Sequence, residues 1–175
     1  MVDLRDTIAG QAGKLEQIAG KIPLYKGYKE KEQRREADAL LRDHLARKLG
    51  EQASRAEQVA SQMLTGPGMS QLAEVGKGNT RLQTLIDKIK TAAQGYAGLF
   101  DAVKIKEDEL DTLYEFDNSL LAKVDEVSEA INNLQTVLDA GESDKLAPAV
   151  RRYVQAVTDA STLFDQRKDT LLGLA

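Results

Sequence analysis

A chain of 175 residues is long enough to bury one substantial core, or two closely joined ones. It has no cysteine, which excludes disulfides, thiolate metal sites and cysteine nucleophiles, and only 5% aromatic residues, so packing must rest on Leu, Ile, Val and Ala. The net charge of −4 is uneven: residues 1–106 carry +5 and residues 107–175 carry −9, which suits antiparallel helices attracting one another or separate surfaces for different partners.

The first residues lack the basic start and apolar run of a secretory signal. No stretch approaches the ~20 apolar residues of a membrane-spanning helix, so a cytoplasmic protein is expected. Segment 4–20 places Leu4, Ile8, Ala12, Leu15, Ile18 and Ile22 on one helical face, with Asp3 as N-cap and Gly20 and Pro23 closing it. A connector, residues 22–28, follows. Segment 29–64 carries a second seam of Ala37, Leu41, Leu45, Leu49, Ala53, Ala56, Ala60 and Met63. Gly66-Pro67-Gly68 predicts a tight reversal, and residues 69–75 a brief helix capped by Ser70. Gly76-Lys77-Gly78-Asn79 predicts another interruption, and Thr80 with Gln83 a capping box that starts the next helix.

The stretch 80–140 organises the rest. Leu82, Ile86, Ile89, Ala93, Tyr96, Phe100 and Val103 recur at steps of three and four, and Leu110, Leu113, Leu120, Val124, Val127, Ile131, Leu134 and Leu138 resume the stripe. Between them, Lys104 and Lys106 suit a helix end and Glu107, Asp108, Glu109 and Asp111 a new start, yet no glycine or proline marks a turn. Gly141 is a C-cap, Ser143 and Pro148 restart the chain, and Val150, Tyr153, Val154, Val157, Ala160, Phe164 and Leu171 line the last helix. The class is all-α, an elongated antiparallel bundle of long, coiled-coil-like helices forming a single domain over 1–175. Two arrangements fit. With a turn near 104–111 it is a four-helix up-down bundle with an extra N-terminal helix; with one continuous helix it is a three-helix body with a projecting helical hairpin, 29–103.

Reactive chemistry is sparse. His44 is the single histidine, too few for a di-iron bundle, and reads as a half-buried helical residue. Gly76-Lys77-Gly78-Asn79-Thr80 lacks the spacing of a phosphate loop. The acidic run Glu107, Asp108, Glu109, Asp111 and Glu115 reads as a solvated face rather than an oxygen cage for a cation. Asp117 differs, because it falls on the seam between Leu113 and Leu120, where a polar residue can fix register or oligomeric state. No catalytic, cofactor or metal site is expected, and the protein is read as non-enzymatic.

Two stretches stand out as contact surfaces. Tyr25, Lys26, Tyr28, Lys29, Lys31, Arg34 and Arg35 gather around a helix start, where cations oppose the helix dipole, and are candidates for contact with an anionic partner. The alternative is pairing within the chain, with Glu30, Glu32, Glu36 or the acidic C-terminal third. The anionic surface is either membrane lipid headgroups or nucleic acid, and a sequence pI near 5.2 argues against a dedicated nucleic-acid binder. The run Ile22-Pro23-x-Tyr25-Lys26-Gly27-Tyr28-Lys29-x-Lys31-Glu32, followed by Arg34-Arg35-Glu36-Ala37-Asp38, resembles a segment of uncharacterised bacterial all-helical proteins of unknown function. That resemblance implies a bacterial cytoplasmic origin and no particular activity. The second stretch is the tip around 66–79, where Met63, Leu64, Met69, Leu72 and Val75 cluster beside glycines. Together these features predict a scaffold or adaptor acting through protein–protein association or self-assembly as a homo-oligomer, with binding to an anionic surface through 26–35 as the alternative.

Overall fold

The computed structural model describes residues 4–30, 33–92 and 107–173. Its elements are α1 (Leu4–Lys21), α2 (Arg34–Gln62), a 3-10 turn (Gly66–Gln71), α3 (Leu72–Thr91), α4 (Glu107–Asp139) and α5 (Ser143–Gly173). The fold is all-α, and no helix among the described residues is long and apolar enough to cross a membrane.

The seams become the core. Leu41, Leu45, Leu49 and Ala56 of α2 meet Leu82, Leu85, Ile86 and Ile89 of α3, Leu113, Val127, Ile131 and Leu134 of α4, and Val150, Tyr153, Val157 and Phe164 of α5 in one buried cluster. α2 and α3 form one antiparallel hairpin, α4 and α5 another, and they pack with α2 beside α4 and α3 beside α5.

Side-chain bonds set the direction of these contacts. Arg55 reaches Asn132 and Gln135 reaches Gln62, so α2 and α4 ascend together. Tyr153 bonds Asn79 and Lys88 bonds Asp165, so α3 and α5 also run parallel. The expected up-down order therefore holds along the chain, while the lateral neighbours α2/α4 and α3/α5 lie parallel. It follows that α3 and α4 run in opposite directions. A single straight helix over 80–140, one of the two arrangements the pattern allowed, is thereby ruled out in favour of four helices plus α1. The residues between them, with Ala93, Tyr96, Phe100 and Val103, lie outside the described residues.

α3 begins at Leu72, eight residues before the expected start. Gly76-Lys77-Gly78-Asn79 is helical rather than a joint, and the Thr80 hydroxyl, read as a cap, donates 3.0 Å to the Gly76 carbonyl one turn back. Glycine weakens a helix interior by about 1 kcal/mol, but Gly78 answers to packing. A Cβ there would lie 2.6 Å from Cε1 of Tyr153, so its absence lets α3 and α5 approach across a flat ring. The two turns that the sequence marks are real. Gly66 (φ +78°) and Pro67 open the reversal after α2. Gly141 (φ +66°) closes α4, its N–H donating to the Leu138 carbonyl while that of Glu142 donates to Val137, a Schellman closure.

α1 lies along α4 and runs in the same direction, since Lys14 pairs with Asp111 and Glu115, and Lys21 with Asp125 further on. The chain must then return to the level of Asp117 to start α2. Residues 22–30 lie along the bundle as a strap, and the strap builds the site described next.

Candidate functional site

Tyr25 and Tyr28 hang from the strap into the end of the bundle where α2 and α4 begin and α5 ends. Gly27 between them adopts φ +81°, a left-handed conformation that glycine takes without steric cost. The Tyr28 main chain is held on both sides. Its N–H donates 3.0 Å to the Tyr114 hydroxyl, and its carbonyl accepts from Nε of Arg34 at 2.9 Å. The Tyr28 ring stacks on Tyr114 at 5.8 Å and meets Tyr25 edge-on at 6.0 Å.

The Asp117 carboxylate lies at the centre, fully buried. One of its oxygens accepts from the Tyr28 hydroxyl at 2.6 Å and the Tyr25 hydroxyl at 3.2 Å. The other accepts from Nε of Arg167 at 2.8 Å. Arg167, also fully buried, donates Nη2 to the Tyr28 hydroxyl at 2.9 Å and places Nη1 3.0 Å from Oδ1 of Asp38. That last contact is an ion pair at an angle too poor for a hydrogen bond, so Nη1 and Oδ1 satisfy each other by charge alone. The second oxygen of Asp38 accepts from Arg42 Nε at 2.7 Å. Five segments thus meet through one polar network: the strap, the start of α2, the start of α4 and the end of α5, with α1 tied alongside by Asn118, whose Nδ2 donates 3.0 Å to the Lys14 carbonyl.

Burial decides the protonation of this network. It pushes the Asp117 carboxyl up from its ordinary value, while Arg167 and the Tyr28 hydroxyl pull it back. It also raises both Tyr25 and Tyr28, and the neighbouring Asp117 charge raises them further, so the phenols stay protonated donors. Burial disfavours the Arg167 cation, but Asp117, Tyr28 and Asp38 outweigh it and hold the guanidinium charged. Each reactive group here is engaged by another part of the chain. The arrangement can pin the strap and lock the helix ends in register, the role Asp117 was read for.

The residues singled out as anionic-partner contacts separate accordingly. Tyr25, Tyr28 and Arg34, read as surface contacts, instead face inward, because their polar atoms are needed by Asp117 and by the strap. Lys26, Lys29 and Arg35 are exposed, and Lys31 lies outside the described residues. The tip separates too. Met63 and Val75 are core residues and Leu72 packs half-buried against the core, leaving Leu64 and Met69, 54% and 61% exposed, at the surface. His44 is half-buried as read, with Nδ1 3.5 Å from Nη2 of Arg47. Asp111 and Glu115 share Lys14, and no three metal-ligating side chains converge among the described residues. Arg34, Asp38 and Arg167 were not singled out as a network. They extend the seams by the same steps of three and four, Arg34 and Asp38 to Leu41 and Leu45, and Arg167 from Ala160 and Phe164. That continuation was the available signal.

Fold and site define a bundle of two parallel-stacked helical hairpins, closed at one end by a strap and a buried ionic network. Compared with known proteins, the chain matches no family model, no curated protein and no solved structure.

Proposed function

We propose that this is a non-enzymatic helical bundle that acts by protein–protein association or self-assembly, as a scaffold or adaptor. The observation that supports it is the turn between α2 and α3, where Leu64 and Met69 expose large apolar side chains five residues apart. Gly66 and the short 3-10 helix hold the two on a defined surface, and Gly68 fits tightly against Met63, where an added Cβ would lie 2.9 Å from its side chain. A fixed apolar pair of this kind suits the centre of a contact patch.

Light scattering of the purified chain tests the reading. The expected result is a species heavier than the monomer that returns to monomer mass in a Leu64→Glu/Met69→Glu variant, with unchanged helicity. A partner recovered from the native cell by wild-type protein and lost with the same variant is the equivalent result for hetero-association. A monomeric wild type whose captured proteins are identical to the variant's would overturn the reading.

A further inference from the structure

Ile22-Pro23-Leu24-Tyr25 closes a four-residue turn, the Tyr25 N–H donating 3.3 Å to the Ile22 carbonyl. Pro23 fits its second position. Leu24 occupies the third with φ +68°, the conformation for which a type II turn selects glycine. Leu24 is also 77% exposed. Among the described residues it is the one non-glycine residue with positive φ, and it is more open to solvent than Leu64 or Met69. Glycine would relieve the backbone and remove apolar surface from water, so nothing in this chain's own fold calls for leucine there. A strained residue held by a well-determined surrounding points to a use outside the fold.

The turn is rigidly mounted. Ile22 and Tyr25 on either side are buried, and Tyr25 is fixed to Asp117. Between Glu16 and Glu30 the chain carries three lysines and no acid, Lys21 of these being paired with Asp125. Lys26 and Lys29 are exposed and make no ion pair among the described residues. The shallow groove beneath α1 brings Lys21 together with His44 and Lys48 beside Leu121, Val124 and Asp125. Burial first, and then the cations Arg47, Lys48 and Lys21, hold the His44 pKa down.

We propose that this turn docks on an anionic lipid bilayer, with Leu24 entering the interface while Lys26 and Lys29 engage the headgroups. An exposed apolar residue followed in the chain by exposed Lys26 and Lys29 matches the layering of such a surface, acyl chains beneath and negative charge above. The proposal goes beyond the association reading and does not depend on the α2–α3 turn. With one apolar anchor the binding is weak, reversible and salt-sensitive.

The chain has no tryptophan, so Leu24→Trp is a site-specific reporter. Its emission is expected to shift to the blue with vesicles containing about 30 per cent phosphatidylserine and to stay unchanged with neutral phosphatidylcholine vesicles. Met69→Trp, at the other end of the bundle, is expected not to respond. Leu24→Gly separates the anchor from any structural role, since it should leave helicity and the unfolding midpoint near wild type. It is expected to lower retention on the anionic vesicles about tenfold, the factor that corresponds to 1.4 kcal/mol. Lys26→Glu/Lys29→Glu is expected to abolish it. No shift on anionic vesicles, an equal shift on neutral ones, or unchanged retention of Leu24→Gly would overturn the proposal. A shift that grows with protein concentration without lipid would also do so, by assigning Leu24 to an interface between copies.

Discussion

Replacing Arg167 with methionine is expected to lower folding stability by about 3–5 kcal/mol, the range for breaking a buried ion pair from one side. For a chain of this size that corresponds to a fall in unfolding midpoint of roughly 10 °C, read by thermal circular dichroism. Methionine fills much of the space but leaves Asp117 buried with only the two tyrosine hydroxyls, and Asp38 with Arg42 as its remaining ion-pair partner among the described residues. The loss therefore comes mainly from uncompensated charge. A double variant, Asp117→Leu/Arg167→Met, separates the two terms. It removes both opposite charges, so it is expected to be more stable than Arg167→Met alone even though it carries one more substitution. A double variant less stable than the single one would show that packing, and not charge, holds this end together.

The same network fixes a pH dependence. The folded Asp117 carboxyl titrates above its ordinary value of 3.8 because burial disfavours its charge more than Arg167 and Tyr28 favour it. Between those two values the folded chain binds the proton more readily than the unfolded chain, so this group's contribution to stability falls as pH rises through the window and is fully present below it. The direction is opposite to that of a surface carboxylate in an ion pair. Asp117→Asn removes the titration while keeping an acceptor for Arg167. The stability of wild type minus that of Asp117→Asn, from urea unfolding over a pH series from about 4 to about 7, is expected to be greater at the acidic end. A difference that shrinks on acidification would contradict the assignment of burial as the dominant cause.

Much of the fold was written in the periodicity. The seams of α4 and α5 enter the core at nearly every position that three-and-four spacing marks, from Leu110 to Leu134 and from Val150 to Phe164. Asp117 was visible by the same rule, because a helix cannot turn one residue of a seam outward. Arg34, Asp38 and Arg167 obey that rule equally, but their partners lie as far as 139 positions apart in the chain, and pairing at that distance depends on which helices become neighbours. Local spacing carries no such information. The glycines misled for a related reason. Gly66 and Gly141 serve backbone conformation, as turn residues do, whereas Gly78 serves the approach of Tyr153, and composition alone gives both the same appearance. The tyrosines of the strap looked like surface aromatics beside lysines. Their hydroxyls were needed inside, by a carboxylate that only the folded chain brings to them.

Gly27→Ala is expected to be the most damaging substitution of a residue that has no side chain to lose. Two effects act together. At φ +81° an alanine adopts a conformation disfavoured by about 1 kcal/mol or more. Its Cβ would also fall within 2.9 Å of Leu15 Cδ1 and closer still to the Tyr114 hydroxyl, and overpacking of this kind typically costs about 1–3 kcal/mol. The chain cannot shift that hydroxyl freely, since it accepts the Tyr28 N–H, and Tyr28 in turn holds Asp117 and Arg167. A clash at one glycine is thereby passed to the whole network. The expected total is about 2–4 kcal/mol, and its origin can be divided by a second substitution. Tyr114→Phe removes the oxygen that the new methyl group strikes, so Gly27→Ala should destabilise a Tyr114→Phe background less than the wild type, with the backbone term surviving. Equal losses in the two backgrounds would leave backbone strain and the Leu15 contact as the causes and would show that the Tyr114 hydroxyl contributes nothing to the clash.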